Sequence, residues 1–259
     1  MGTSPRAATT RIVREMLGRI GYELRRVDRP TDSIVFPPDF DDGARELFRR
    51  VQPYTLTSME RVLALRESVR YVSRAGIAGD ICECGVWRGG SMMVIAITLA
   101  ELGDTDRCLY MFDTFTRPPD TGPRDGDGAQ AELETALKDP WYSYLPVDEV
   151  RRHLEETGYP ADKLRFVAGL VEETLPAEAP EHVSLLRLDT DYYSSTAHEM
   201  THLYPRISEG GVLMVDDYGQ FVGARDAVDE YFHSTGAAVL LNRIDFTGRL
   251  VVVPRSEGA

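Results

Sequence analysis

The sequence has little with which to build a disulfide framework, a membrane span or a nucleic-acid surface. Its 259 residues include three cysteines, Cys82, Cys84 and Cys108, too few for a disulfide scaffold or a zinc set. Cys82 and Cys84 alternate along an apolar segment and read as packing residues. No apolar stretch approaches the roughly twenty residues of a membrane span. The opening residues Met1-Gly2-Thr3-Ser4-Pro5-Arg6 lack the apolar core of a signal peptide, so a cytoplasmic protein is expected. Basic residues are outnumbered 29 to 42 by acidic ones, giving a net charge of -13, which argues against nucleic acid or an anionic membrane as partner. Repeats and low-complexity tracts are absent. The length suits one large α/β domain with an appendage.

What is present is a pair of apolar runs that stop in carboxylates. Leu185-Leu186-Arg187-Leu188 ends in Asp189-Thr190-Asp191, and Val212-Leu213-Met214-Val215 ends in Asp216-Asp217-Tyr218. Such runs suit strands buried on both faces of a parallel sheet, where ligands gather at the carboxyl ends. Four acids are therefore expected at one rim. Left alone they would repel one another and resist desolvation, so either a cation neutralises them or some hold a proton. Oxygen-only ligands favour a hard divalent ion, Mg2+ ahead of Ca2+ or Mn2+. The competing reading is that Asp189 or Asp216 caps the following helix.

Earlier in the chain, Gly79-Asp80-Ile81-Cys82-Glu83-Cys84-Gly85-Val86-Trp87-Arg88-Gly89-Gly90-Ser91 leads into the apolar stretch Met92 to Leu102. Strand, glycine turn, helix is the order of a nucleotide-binding βαβ unit. The glycines do not follow G-x-G-x-x-G, and Glu83 precedes the first of them by two residues. A dinucleotide needs a helix N-terminus for its pyrophosphate; S-adenosylmethionine has no phosphate, and its ammonium and sulfonium suit a nearby carboxylate. Glycines also punctuate ordinary strand-to-helix turns, and that reading stays open. Cys108-Leu109-Tyr110-Met111-Phe112-Asp113 is a second acid-tipped strand. Its Asp113 is the candidate ribose ligand, with a turn cap as the alternative.

Around these strands the pattern is ordinary α/β. Thr10 to Val27 has helical spacing of apolar residues, and Asp28 to Asp42 is a Pro- and Asp-rich break, so residues 1–78 are read as a helical arm and lid and residues 79–259 as the main domain. The arm is expected to act as a lid or as the contact of a homo-oligomer. A helix from Thr57 or Ser58 runs to Gly76. Phe115 to Trp141 is a long polar insertion. Its Asp125 and Asp127 resemble a calcium loop only faintly, since Ala136 stands where a bidentate Glu belongs, and the segment reads as a solvated loop. Helices over Val147 to Thr157, Thr196 to Tyr204 and Ala224 to Phe232, a strand over Leu164 to Val167, a turn and helix start over Gly169 to Thr174, and a terminal antiparallel hairpin of Ala237 to Leu241 with Leu250 to Val253 complete the pattern. His198-Glu199-Met200-Thr201-His202 is a literal H-E-x-x-H, which in isolation means a zinc hydrolase. Pro205 ends its helix three residues later, and a connecting helix faces packing rather than the rim, so solvated histidines are the better account.

Taken together, Glu83 to Ser91, Leu188-Asp189-Thr190-Asp191, Leu203-Tyr204-Pro205-Arg206 and Val215-Asp216-Asp217-Tyr218 closely resemble the macrocin O-methyltransferase family, whose relatives tailor macrolide and aminocoumarin sugars. The resemblance spans about residues 54–232, beginning at Tyr54-Thr55-Leu56-Thr57. It implies a class I methyltransferase fold, a doubly wound and mostly parallel sheet, using S-adenosylmethionine and Mg2+ on a small-molecule glycoside acceptor. It matches Asp189, Asp216 and Asp217 to the family's metal ligands and Asp191 to its general base. Glu83, Gly85, Val86, Trp87, Gly89, Ser91, Asp113 and Phe115 match its cofactor site, and Leu56 stands where one member has a Met near the cofactor. A binding module without turnover is the non-enzymatic alternative.

Overall fold

The acid-tipped runs form central strands of one sheet. A computed structural model describes residues 34–126, 128–139 and 142–254. The chain divides into two compact units, Met1–Pro38 and Asp39–Ala259. Every element named below belongs to the second, and the boundary expected at residue 78 falls inside it. The helix expected over Thr10 to Val27 lies outside the described residues.

Helix α1, Asp42–Val51, starts at Asp41, whose carboxylate accepts from the Ala44 amide at 2.6 Å. Helix α2, Met59–Arg74, starts at Ser58, whose hydroxyl accepts from the Arg61 amide at 3.2 Å. Each cap satisfies an amide that a helix end would otherwise leave unpaired, worth about 0.5–2 kcal/mol. Strand β1, Asp80–Cys84, leads through the glycine turn into helix α3, Gly90–Leu102. That helix is apolar on all sides and buried from Gly90 to Leu99, as a helix packed all round must be. Strand β2, Leu109–Asp113, precedes the insertion, which contains helix α4, Ala129–Ala136, where no helix was expected. Helix α5, Val147–Glu155, and strand β3, Leu164–Ala168, follow. Then come α6 (Val171–Thr174), β4 (Val183–Leu188), α7 (Tyr193–His202), β5 (Ile207–Val215), α8 (Val222–Thr235), β6 (Asn242–Arg243) and β7 (Arg249–Val252).

Among the described residues, seven strands form the sheet in the order β3-β2-β1-β4-β5-β7-β6. The first five are parallel, while β7 is antiparallel to β5 and β6 to β7. The order reverses between β1 and β4, and the crevice outside the carboxyl ends at that point is where such sheets bind ligands. Side chains alternate along β1 and β4. Cys82, Cys84, Leu186 and Leu188 join Met200 of α7 and Val228 of α8 in one core layer. Glu83 lies opposite Arg187, and Arg187 opposite Met214. Fully burying one such Leu contributes about 1.5–3 kcal/mol.

The terminal hairpin differs from expectation. Its first strand is Asn242–Arg243, not Ala237 to Leu241. Ala237, Val239 and Leu241 pack against the core as alternating residues do, but only β6 takes the far edge of β7. Alternation reported the packing, and the ladder went elsewhere.

Candidate active site

Among the described residues, three other than glycine have left-handed backbones: Trp87 (φ 49°), Phe115 (φ 52°) and Asp191 (φ 65°). They follow the carboxyl ends of β1, β2 and β4. Such conformations cost on the order of 1–3 kcal/mol each, and strain gathered at one rim marks a functional site. Gly85 (φ 83°) is there by necessity, since a Cβ would lie 1.9 Å from the Asp189 carbonyl oxygen. Gly90 lets the Tyr54–Thr55 backbone approach, where a Cβ would sit 2.6 Å from the Tyr54 carbonyl oxygen, and this brings Leu56 to the site.

A cavity of about 290 Å³ opens at this rim, near the lower end of the roughly 300–1,000 Å³ of small-molecule sites. Leu56, Glu83, Gly85, Val86, Trp87, Ser91 and Asp113 line it together with Asp189, Asp191, Asp216 and Asp217. Gly89 and Phe115 do not. Gly89 serves the left-handed entry to α3 and packs on Val150 and Leu154, and the Phe115 ring is buried toward Phe166.

Asp113 clamps the glycine turn from β2. Its Oδ2 accepts from the Val86 and Trp87 amides at 2.6 and 2.8 Å, and its Oδ1 from the Phe115 amide at 2.7 Å. Burial raises its pKa and outweighs those three donors. The turn-cap role is thus present, at the lip of the cavity.

The acids are arranged around a buried arginine that the apolar reading of β4 passed over. Arg187, 1% exposed, donates to Glu83 Oε1 at 2.6 Å, Asp189 Oδ2 at 2.6 Å, Asp216 Oδ1 at 2.5 Å and Thr57 Oγ1 at 3.0 Å. Its signal in the sequence is an arginine amid leucines, because a buried arginine must be paired. Burial opposes its charge, but Asp189, Asp216 and Glu83 together hold its pKa well above the usual value. One guanidinium cannot neutralise three carboxylates. Glu83, buried beside it, is pushed up to about 8, so it sits on Arg187 rather than facing the cavity as a bare anion. Arg61 pairs with the other oxygen of Asp216 and with Asp245. The pKa of Asp216 is still raised to about 6, by burial first and Asp189 next among the groups that raise it.

The structure groups the four rim acids differently from the sequence-based division. Asp189, Asp191 and Asp217 bring carboxylate oxygens within 4.8 Å of one another, while Asp216 is turned to the two guanidinium groups. Strand β4 ends at Leu188, so Asp191 is not a further pleat; its left-handed backbone swings it back toward Asp189. Asp217 is buried, its Oδ2 has no hydrogen-bond partner, and burial followed by Asp191, Asp189 and Asp216 drives its pKa well up. An orphaned buried carboxylate oxygen facing two more carboxylates fits a hard divalent cation.

The insertion and the residues just after it supply side chains the sequence gave no reason to single out. Tyr142 and Tyr144 line the cavity, ring centroids 6.0 Å apart, with Tyr142 6.1 Å from Trp87. Burial, then Asp191 and Asp189, pushes Tyr142 up to about 12. Asp125 is buried rather than solvated. Its Oδ1 accepts from the Tyr193 amide and its Oδ2 from the Gly122 amide, both at 2.6 Å, which ties the insertion to the start of α7.

The H-E-x-x-H motif occupies α7. His198 and His202 are half-buried rather than solvated, their rings 4.3 Å apart, with His198 Nε2 3.3 Å from the Leu175 carbonyl oxygen. Burial, then His198, lowers the pKa of His202. Among the described residues they join no group of three ligands close enough to hold an ion. Glu199 is turned into the core instead.

A family model described as Macrocin-O-methyltransferase (TylF) matches residues 29–251. The 8-demethyl-8-(2,3-dimethoxy-alpha-L-rhamnosyl)-tetracenomycin-C 4'-O-methyltransferase of Streptomyces olivaceus is 33% identical over 237 residues, 90% of this chain and 89% of that protein. Demethyldecarbamoylnovobiocin O-methyltransferase of Streptomyces niveus is 34% identical over 197 residues, 75% and 74% of the two chains. The solved structure of the O-methyltransferase NovP matches with a TM-score of 0.71 at 31% identity, over 78% of this chain and 83% of that one. The sheet is that of a class I methyltransferase, and the chain belongs to the macrocin O-methyltransferase family.

Proposed function

We propose that the protein transfers a methyl group from S-adenosylmethionine to a hydroxyl of a sugar on a glycosylated secondary metabolite, aided by a divalent cation, Mg2+ first. The observation that carries this is the convergence of Asp189, Asp191 and Asp217 at the lip of the cavity that also holds the glycine turn. The acceptor class follows relatives such as the Streptomyces olivaceus enzyme, named for a rhamnosyl tetracenomycin. Leu56, Val86, Trp87 and Ser91, with the turn clamped by Asp113, form the cofactor side.

Asp189 and Asp217 hold the ion in this reading. Asp216 supports it from behind, since each of its oxygens keeps a lone pair beyond the guanidinium it accepts from. A divalent ion there would lower the pKa of a sugar hydroxyl and fix its direction. Asp191 is the base: it stands on the turn beyond β4, is partly exposed, and lies within reach of both Asp189 and Asp217. It takes the hydroxyl proton as the oxygen bonds to the methyl carbon and S-adenosylhomocysteine departs with the electron pair of the breaking C–S bond. Tyr142, Tyr144 and Trp87 keep the reacting groups out of bulk water.

Two variants test the division of labour. Asp191→Asn keeps shape but removes basicity, so Mg2+ affinity by calorimetry should hold while turnover falls about 100-fold or more. Asp216→Asn should weaken the ion, with part of its activity restored by added Mg2+. Rescue of Asp191→Asn by Mg2+, and none for Asp216→Asn, reverses the two roles. If neither variant slows transfer, the metal-assisted reading fails.

A further inference from the structure

The glutamate of the H-E-x-x-H motif is fully buried and has no part in the chemistry above. Glu199 Oε2 accepts from the Thr190 hydroxyl at 3.2 Å, and the Cys84 thiol interacts with the same carboxyl group. Its Oε1 is buried without a hydrogen-bond partner. Thr190 is the residue between Asp189 and Asp191, and Cys84 is the last residue of β1, next to Gly85. A buried carboxyl is costly unless it does something its neighbours need.

We propose that Glu199 is a positioning residue: by holding Thr190 it fixes the aim of Asp189 and Asp191, and through Cys84 it locks that turn to the strand that opens the glycine turn. The inference rests on the reading of Asp189 and Asp191 given above. Three features of the turn require such a brace. Strand β4 has ended at Leu188, and the Asp189 amide continues its pairing with a bond to the Cys84 carbonyl at 2.9 Å, so the turn beyond lies outside the regular strand. Asp191 holds a left-handed backbone, which persists only where surroundings over-determine it. The bonds on the Thr190 carbonyl, from the Tyr192 amide at 2.7 Å and the Ser195 hydroxyl at 3.4 Å, fix the peptide but not the Thr190 side chain. The hydrogen bond to Glu199 fixes it from inside α7. Burial first, with Glu172 and Asp189 adding to it, pushes Glu199 up to about 8. Glutamine reproduces the size of that carboxyl and an acceptor for the Thr190 hydroxyl.

The test compares wild type, Glu199→Gln, Glu199→Ala and Thr190→Val in the full chain. Amide hydrogen exchange at residues 189–192, Mg2+ affinity and S-adenosylhomocysteine affinity are the readouts. Glu199→Ala should speed exchange at the turn about tenfold and lower Mg2+ affinity about 10- to 100-fold, the usual effect of losing a group that orients a metal ligand. Glu199→Gln should restore both, and S-adenosylhomocysteine affinity should hold throughout. Thr190→Val removes the same bond from the other side with little change in volume, so it decides the matter if Glu199→Ala does not fold. A double variant with Glu199→Gln should be no worse than Thr190→Val alone. Unchanged exchange at 189–192 in Thr190→Val overturns the proposal, as does a Glu199→Gln as impaired as the alanine. If wild type binds no Mg2+, the ion reading fails, and the exchange measurement still decides the role of Glu199.

Discussion

Both oxygens of Asp113 accept from backbone amides of Val86, Trp87 and Phe115, so its removal releases the turn that carries the cofactor side as well as a polar group at the lip. Asp113→Ala should weaken S-adenosylhomocysteine by about 1–3 kcal/mol, the range for charge-assisted hydrogen bonds. Calorimetry showing wild-type affinity would exclude any hold on the cofactor. Its place at the tip of the second apolar strand is what singled Asp113 out in the sequence. Its present partners were not legible, because they depend on the left-handed turn at Trp87 that presents two amides together. Arg187 was legible and passed over: four acids imply a cation, and the nearest one stood inside the apolar run. Which acids it takes depends on register, since Glu83 meets Arg187 only when β1 and β4 lie side by side.

At the scale of elements, the sequence marked α2 by its Ser58 cap and the central strands by their apolar runs, and it misread the insertion. Asp125 looked like part of a solvated loop because its partner, the Tyr193 amide, is 68 residues away. Gly223 leaves the room, since a Cβ there would lie 2.1 Å from Asp125 Oδ1. Beside it, the Arg124 guanidinium lies 3.6 Å over the Tyr193 ring and pairs with Glu230, which also accepts from the Tyr193 hydroxyl at 2.7 Å. The exposed ion pair adds little on its own. The buried cap is the anchor, and Asp125→Ala should cost about 0.5–2 kcal/mol of stability. Because Tyr142 and Tyr144, which line the cavity, directly follow the insertion, acceptor KM should rise while S-adenosylhomocysteine affinity stays unchanged. An unaltered KM would show that this anchor does not set the acceptor side.

For the whole molecule, parallel topology was legible because strand, turn and helix alternate locally, and short right-handed connections leave few arrangements. The balance of charge at the rim was not, since it depends on which acids share two guanidinium groups. That balance sets how stability responds to pH. Glu83 and Glu199 are each raised from 4.5 to about 8, and Asp216 from 3.8 to about 6, by burial in every case. Each keeps its proton in the folded chain where the unfolded chain has lost it. The folded state therefore binds more protons between about pH 4 and 8, and metal-free stability should fall as pH rises through that window. Asp41 and Asp245, whose pKa values are lowered, act oppositely, but their contribution is complete above the ordinary carboxylate range. A divalent ion takes ionised carboxylates and expels their protons, so its stabilising effect should grow with pH. In chelator, the melting temperature should be highest near pH 5 and fall toward pH 8; with saturating Mg2+ the fall should shrink, and Glu199→Gln should flatten the chelator profile in part. A chelator profile that rises between pH 5 and 8 would show that these acids are ionised in the folded chain, and a profile that Mg2+ leaves unmoved would show that they hold no ion.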